Sequence, residues 1–162
     1  MKKAVFAGSF DPVTVGHEEV IKISLKIFDK VIVAVLENPQ KSFLFGIDER
    51  VNLLKKLFKD DKNVEVITFS GAAVDLLERE NTPFYIRGVR DCIDFEYENR
   101  NYYASKKLKD DIITVYIPSS QENLHVSSTL VRNSAHFKKD IKGLVPAAVA
   151  EDVEKMLEAK NV

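Results

Sequence analysis

Five short apolar runs, rich in β-branched residues and separated by longer stretches of helical periodicity, constrain this chain more than any other feature. The runs cover residues 4–7, 31–36, 64–69, 84–86 and 112–117. Four are nearly continuous in apolar residues, as strands covered on both faces of a parallel sheet require. The third is interrupted by Glu65 and Thr68 and reads as nearer an edge. Between the runs, Val20, Ile21, Leu25 and Phe28 repeat at helical spacing, as do Val51, Leu54 and Phe58. Val74, Leu76 and Leu77 mark a short third helix, and the stretch 94–108, without Pro or Gly, a fourth. Val153, Met156 and Leu157 predict a last helix over 149–159, behind Pro146.

Strand and helix thus alternate with short links, which implies right-handed crossovers and a sheet wound on both faces. The expected architecture is α/β: a single Rossmann-like, doubly wound domain over residues 1–162 with a five-stranded parallel sheet. No Gly-, Ser- or Pro-rich linker and no internal repeat divides it. A chain of 162 residues buries roughly 70% of its extended surface, so the core needs no staple. The lone Cys92 excludes an intramolecular disulfide framework and a multi-cysteine zinc site. With 24 basic against 25 acidic residues, the balance of charge gives no footprint for nucleic acid or an anionic membrane. No apolar run approaches a membrane span, and residues 4–7 are too short for the core of a secretion signal. A cytoplasmic location is the expectation.

In doubly wound sheets, ligands bind beyond the carboxyl ends of the strands, where the winding reverses. The loop after the first strand carries Gly8, Ser9, Phe10, Asp11 and Pro12, then Gly16-His17 at the start of a helix. Gly8 permits close backbone approach, and a helix start favours anions through its amides and dipole. His17 there is placed to donate a hydrogen bond to a phosphate oxygen that gains charge during reaction. The spacing of a dinucleotide fingerprint is absent, which disfavours hydride transfer. The fourth strand runs into Arg87-Gly88-Val89-Arg90, whose guanidinium groups suit phosphate, or else pair with Asp91, Asp94 or Glu96. After the fifth strand, Ser127, Ser128 and Thr129 open a helix, as caps or as phosphate donors. Lys41 follows the second strand. This inventory is cationic and hydrogen-bonding and shows no covalent nucleophile, which suits phosphoryl or nucleotidyl transfer by positioning and charge stabilisation.

The first of these motifs resembles the signature of the nucleotidylyltransferase superfamily, and Ser127-Ser128-Thr129 with Arg132 resembles its second. Within it, the chain is similar over nearly its whole length to the bacterial phosphopantetheine adenylyltransferases. Thr14-Val15-Gly16-His17, with Thr in place of the first His, Arg87 to Arg90 followed by Asp94-Phe95-Glu96-Tyr97-Glu98, Asn38-Pro39-Gln40-Lys41 and Glu49-Arg50-Val51 carry that likeness. The resemblance implies transfer of the adenylyl group of ATP to 4'-phosphopantetheine, giving dephospho-coenzyme A and pyrophosphate, with Mg2+ and in a homohexamer. It implies His17, Lys41 and Arg90 as catalytic residues. It implies Ser9, Phe10, His17, Gly88, Val89, Arg90, Glu98, Asn123, Leu124, His125, Val126, Ser127, Ser128 and Thr129 around ATP. Ser9, Lys41, Ala73 and Arg87 would meet phosphopantetheine, and no protein group is expected to hold the metal. Two places depart from the family: Asn99 to Tyr103 is polar and aromatic where relatives are apolar, and Ala73 stands where a larger apolar residue is common. Another adenylyl- or cytidylyltransferase of the superfamily, or a nucleotide-sensing module without catalysis, is the alternative.

Overall fold

A computed structural model of the chain describes residues 1–38 and 41–161. Its strands are β1 (Lys3–Gly8), β2 (Lys30–Glu37), β3 (Val64–Ser70), β4 (Phe84–Val89) and β5 (Ile113–Pro118). The helices are α1 (Val15–Ser24), α2 (Ile47–Leu57), α3 (Ala73–Arg79), α4 (Cys92–Lys106), α5 (Ser128–His136) and α6 (Ala147–Ala159). All strand pairs are parallel, in the order β3-β2-β1-β4-β5. The alternation expected from the hydrophobic pattern is therefore present, and the helix expected to open at Ser127 to Thr129 is α5, between β5 and α6.

The strand sequences explain the layering. In β1, Ala4 and Phe6 pack on one face of the sheet with Val20, Ile21, Leu54 and Val153. Val5 and Ala7 pack on the other with Leu76, Leu77 and Ile112. Two buried faces are what a continuous apolar run encodes. As read, β3 lies at an edge. The apolar run of β5 lies at the other edge, contrary to the expectation of double coverage, and leaves Ile113 49% exposed.

Other boundaries differ for local reasons. The first helix stops at Ser24, whose hydroxyl donates to the Val20 carbonyl at 2.7 Å; Leu25 caps it, and Phe28 packs on Phe84 from beyond the end. The fourth begins at Cys92 rather than 94 because Asp91 caps it, accepting from the Asp94 amide at 2.8 Å. The fourth strand continues past residue 86, since Arg87, Gly88 and Val89 stay in register with Tyr116, Ile117 and Pro118.

The winding reverses between β1 and β4. Their register comprises two partner pairs, Val5↔Tyr85 and Phe6↔Ile86, against six between β1 and β2. Beyond Phe6 the Ala7 carbonyl accepts from the Arg87 guanidinium at 3.1 Å instead of a strand amide. The carboxyl ends of the two strands thus open a crevice at the expected place.

Candidate active site

The crevice is a cleft of about 450 Å³ whose lining includes Gly8, Ser9, Gly16, His17, Lys41, Arg87, Gly88, Arg90, Glu98, Val126, Ser127 and Ser128. These residues come from the ends of β1, β2 and β4, the starts of α1 and α5, and one face of α4. The two central glycines let their neighbours pack close. A Cβ on Gly8 would sit 3.1 Å from the Phe10 ring, and one on Gly88 would sit 3.0 Å from Val20 Cγ2.

The loop after β1 is held from several sides. Phe10 adopts a left-handed backbone (φ 49°), an unfavourable state for a bulky residue, and its ring is buried beneath Gly8. The Asp11–Pro12 peptide is cis. The buried Asp11 carboxylate accepts from the Leu44 and Phe45 amides at 2.9 and 2.8 Å, tying the loop to the chain that follows Lys41. Arg132 donates to the Asp11 carbonyl at 2.5 Å, and the Ser128 hydroxyl to the Pro12 carbonyl at 2.7 Å. Beneath lies Arg50, 2% exposed, donating to the carbonyls of Ser9, Phe45 and Leu36 and stacked 4.1 Å from the Phe43 ring centre. Burial draws the Arg50 guanidinium below its ordinary pKa, against the opposing pull of Asp11 and Glu37.

Thr14 and His17 form a reciprocal cap on α1. The Thr14 hydroxyl accepts from the His17 amide at 3.3 Å, and His17 Nδ1 accepts from the Thr14 amide at 3.0 Å. An accepting Nδ1 carries no proton, so the neutral ring bears its hydrogen on Nε2. The ring packs edge-on against Phe10 at 4.9 Å and near Phe6 at 6.3 Å. Burial, with the positive charge of Arg90 adding to it, lowers the imidazole pKa to about 4. At neutral pH, His17 is therefore an uncharged N–H donor. Gly16, beside it, lines the cleft, and its amide makes no hydrogen bond among the described residues.

Both arginines are paired with carboxylates one turn apart on α4. Arg87 Nε donates to Glu98 at 2.7 Å, and its Nη2 pairs with the second Glu98 oxygen. Its Nη1 donates to the Ala7 carbonyl and the Tyr85 hydroxyl at 3.1 and 3.2 Å. Burial opposes the charge on Arg87, but Tyr85 and the Glu98 carboxylate outweigh it and raise its pKa. Arg90 grips Asp94 through Nε and Nη2 at 2.7 and 3.1 Å, which holds the Asp94 carboxyl below its usual range.

Several expected site residues lie outside the cleft lining. Phe10 is in the core beneath it, and Val89 is within β4. The Asn123 amide donates to Glu19 at 3.0 Å, while Leu124 and His125 are exposed. The Thr129 hydroxyl accepts from Arg132 at 3.2 Å. Ala73 lines a cavity of about 20 Å³ under α4, which also touches Arg87 and Glu98. Of the hydroxyl run, Ser127 caps α5 by accepting from the Leu130 amide at 3.0 Å. Pro39 and Gln40, part of the Asn38-to-Lys41 motif, lie outside the described residues. Among the described residues, no three His, Cys, Asp or Glu side chains converge as metal ligands.

The residue reading missed the supports: Arg50, Asp11 as an acceptor, and Asp94 as a cleft wall. Arg50 had left a signal, a lone charge on the apolar stripe formed by Ile47, Val51 and Leu54.

Comparison with known proteins follows the same lines. The cytidylyltransferase-like family matches residues 5–134. A Clostridium beijerinckii protein named phosphopantetheine adenylyltransferase is 46% identical over 153 residues, spanning 94% of this chain and 96% of the relative. Proteins of the same name from Clostridium botulinum strain 657 and Desulfosudis oleivorans are each 42% identical, over 99% and 97% of this chain and 98% and 94% of their own. A solved Vibrio parahaemolyticus structure assigned as a nicotinate-nucleotide adenylyltransferase superposes with a TM-score of 0.71 at 25% identity, covering 94% of this chain and 99% of that one.

Proposed function

The chain belongs to the phosphopantetheine adenylyltransferase family, with the cytidylyltransferase-like fold, and from that premise we propose how its cleft transfers the adenylyl group of ATP to 4'-phosphopantetheine. The observation that carries the reading is the meeting of His17, Lys41, Arg87 and Arg90, drawn from three separate parts of the chain, around one cleft.

Two anions must meet for this reaction, and like charges resist the encounter. Lys41 and Arg87 take the acceptor phosphate, while Arg90, the Gly16 amide and the start of α5 take the triphosphate. An acceptor phosphate oxygen then attacks the α-phosphorus in line. The bond from that phosphorus to the bridging oxygen breaks, and pyrophosphate leaves with the electron pair. The nucleophile is already an anion, so no general base is needed. His17 Nε2–H donates to a non-bridging α-oxygen, and this bond strengthens as charge collects there. Being neutral, the imidazole stabilises the transition state without strongly trapping the ground-state triphosphate.

Mg2+ supplies charge neutralisation on the phosphates when bound. Among the described residues that line the cleft, the carboxylates are Asp94, gripped by Arg90, and Glu98, on Arg87, and no third ligand joins them, which fits a metal carried by phosphate oxygens and water rather than by a protein cage. Ala73, with Arg87 and Glu98 on the small cavity under α4, fits a contact to the pantetheine arm. A homohexamer is consistent with α4, which has no buried residue and exposes Ile93, Tyr97 and Tyr103 by 78%, 64% and 60%.

The test is an acceptor panel with ATP and Mg2+, read by product mass. Dephospho-coenzyme A from 4'-phosphopantetheine is expected, with no adenylylation of nicotinate mononucleotide. Turnover of the latter alone, or ATP binding without turnover on any acceptor, overturns the reading.

A further inference from the structure

The two cleft arginines look alike in sequence but differ in what they have left to offer. A guanidinium has five N–H donors, and a phosphate is gripped best by two of them on one side of the fork. In Arg87, both Nη1 hydrogens are accounted for by Ala7 and Tyr85, and Nε and Nη2 face Glu98. A single Nη2 hydrogen remains. Arg90 also gives Nε and Nη2 to its carboxylate, but its Nη1–Nη2 side has no partner among the described residues. An anion can therefore join Arg90 without disturbing Asp94. To grip Arg87 with two bonds it must displace a partner, and of those partners (the Ala7 carbonyl, the Tyr85 hydroxyl and Glu98) Glu98 is the one that carries charge and occupies two donors on one side of the fork.

The environment sharpens this contrast. The Arg87 and Glu98 side chains are 24% and 11% exposed, against 39% and 28% for Arg90 and Asp94. Interactions in the less exposed pair are less screened by water, so an incoming group must match Glu98 in charge and geometry. A neutral or singly charged group brings too little. A phosphate monoester dianion brings two charges and a matching pair of oxygens.

We propose that Glu98 is a specificity-determining residue: its carboxylate holds the place of the acceptor phosphate on Arg87, so that the cleft admits a terminal phosphate dianion and rejects weaker anions. This rests on the reading that Arg87 meets the acceptor phosphate. Leaving Arg87, Glu98 also opens the wall between the cleft and the small cavity under α4, because both residues line both spaces.

The test is Glu98→Gln in the full-length chain, which keeps the shape and removes the charge. The KM for 4'-phosphopantetheine at saturating ATP is expected to fall five- to tenfold at pH 7.5. Calorimetric titration with 4'-phosphopantetheine in the absence of ATP is expected to show the same gain. The parent's kcat/KM for the acceptor should decline steeply below pH 6, where a phosphate monoester loses its second charge, and the variant's decline should be shallower. General damage to the site raises KM, so tighter binding separates the proposed role from a structural one. An unchanged or raised KM with an unaltered pH profile overturns the proposal. Should Glu98→Gln not fold, Glu98→Asp, which withdraws the carboxylate by one methylene, is expected to lower KM two- to threefold; no decrease overturns it. Product mass from the parent enzyme is read separately, so dephospho-coenzyme A formed alongside unresponsive variants refutes the role of Glu98 and leaves the activity standing.

Discussion

His17 shows how much of the chemistry is decided by a neighbour three residues away. The cap with Thr14 fixes the ring's tautomer, and burial keeps it uncharged. Replacing His17 by Ala is expected to lower kcat/KM by 10²–10³, about 3–4 kcal/mol of transition-state stabilisation, in a variant that still melts cooperatively. A loss under tenfold in the folded variant contradicts the role. The depressed pKa also has a consequence for stability. The folded state disfavours protonation, so the contribution is intact above the unfolded histidine value of 6.5 and is lost as pH falls toward about 4. Urea unfolding should register up to about 3 kcal/mol of this loss, and His17→Asn should remove that part of the slope. The candidate donors His17, Lys41, Arg87 and Arg90 were legible from sequence because the strand pattern located the loop ends. The pairing of Arg87 with Glu98 was not, since it depends on the tilt at which α4 crosses β4. Local charge pointed instead to Asp91, Asp94 or Glu96 as partners, and of these Asp94 pairs with Arg90.

Among the elements, the second motif has a structural job alongside any ligand contact. From α5, Ser128 and Arg132 clamp the carbonyls of Pro12 and Asp11, and from α2, Arg50 clamps Ser9. Arg50→Met removes the guanidinium that serves the buried carbonyl of Phe45 and the part-buried carbonyls of Ser9 and Leu36, and should destabilise the fold by about 2–3 kcal/mol by chemical denaturation. Gly88→Ala brings a methyl to 3.0 Å from Val20 Cγ2, so Val20 must give by a few tenths of an ångström and presses on the helix that carries His17, at a cost of about 1–3 kcal/mol. Its melting temperature and its kcat should fall together; a fall in neither contradicts the close packing of α1 on β4. Strand and helix order were readable because apolar periodicity is a local property. The edge position of β5 was not, because its run is as apolar as that of a central strand; the exposed Ile113 lies on the face it shares with Val115 and Ile117, opposite the face on which Tyr116 meets Phe95 of α4.

At the scale of the whole molecule, the doubly wound sheet brings distant segments to one crevice, and the described helices include none long and apolar enough to cross a membrane. On the proposed reading the sheet brings donors for both phosphates to one cleft, with no residue needed to form a bond to the adenylyl group. Light scattering should give an assembly near six times the 18.4 kDa chain mass; a monomer at micromolar concentration contradicts the hexamer. The central claim, direct transfer between two positioned phosphates, is tested most directly by stereochemistry at the α-phosphorus. With a single diastereomer of ATPαS and 4'-phosphopantetheine, one in-line displacement predicts a dephospho-coenzyme A thiophosphate of inverted configuration. Retention would require two displacements through a covalent adenylyl-enzyme, and would contradict the account.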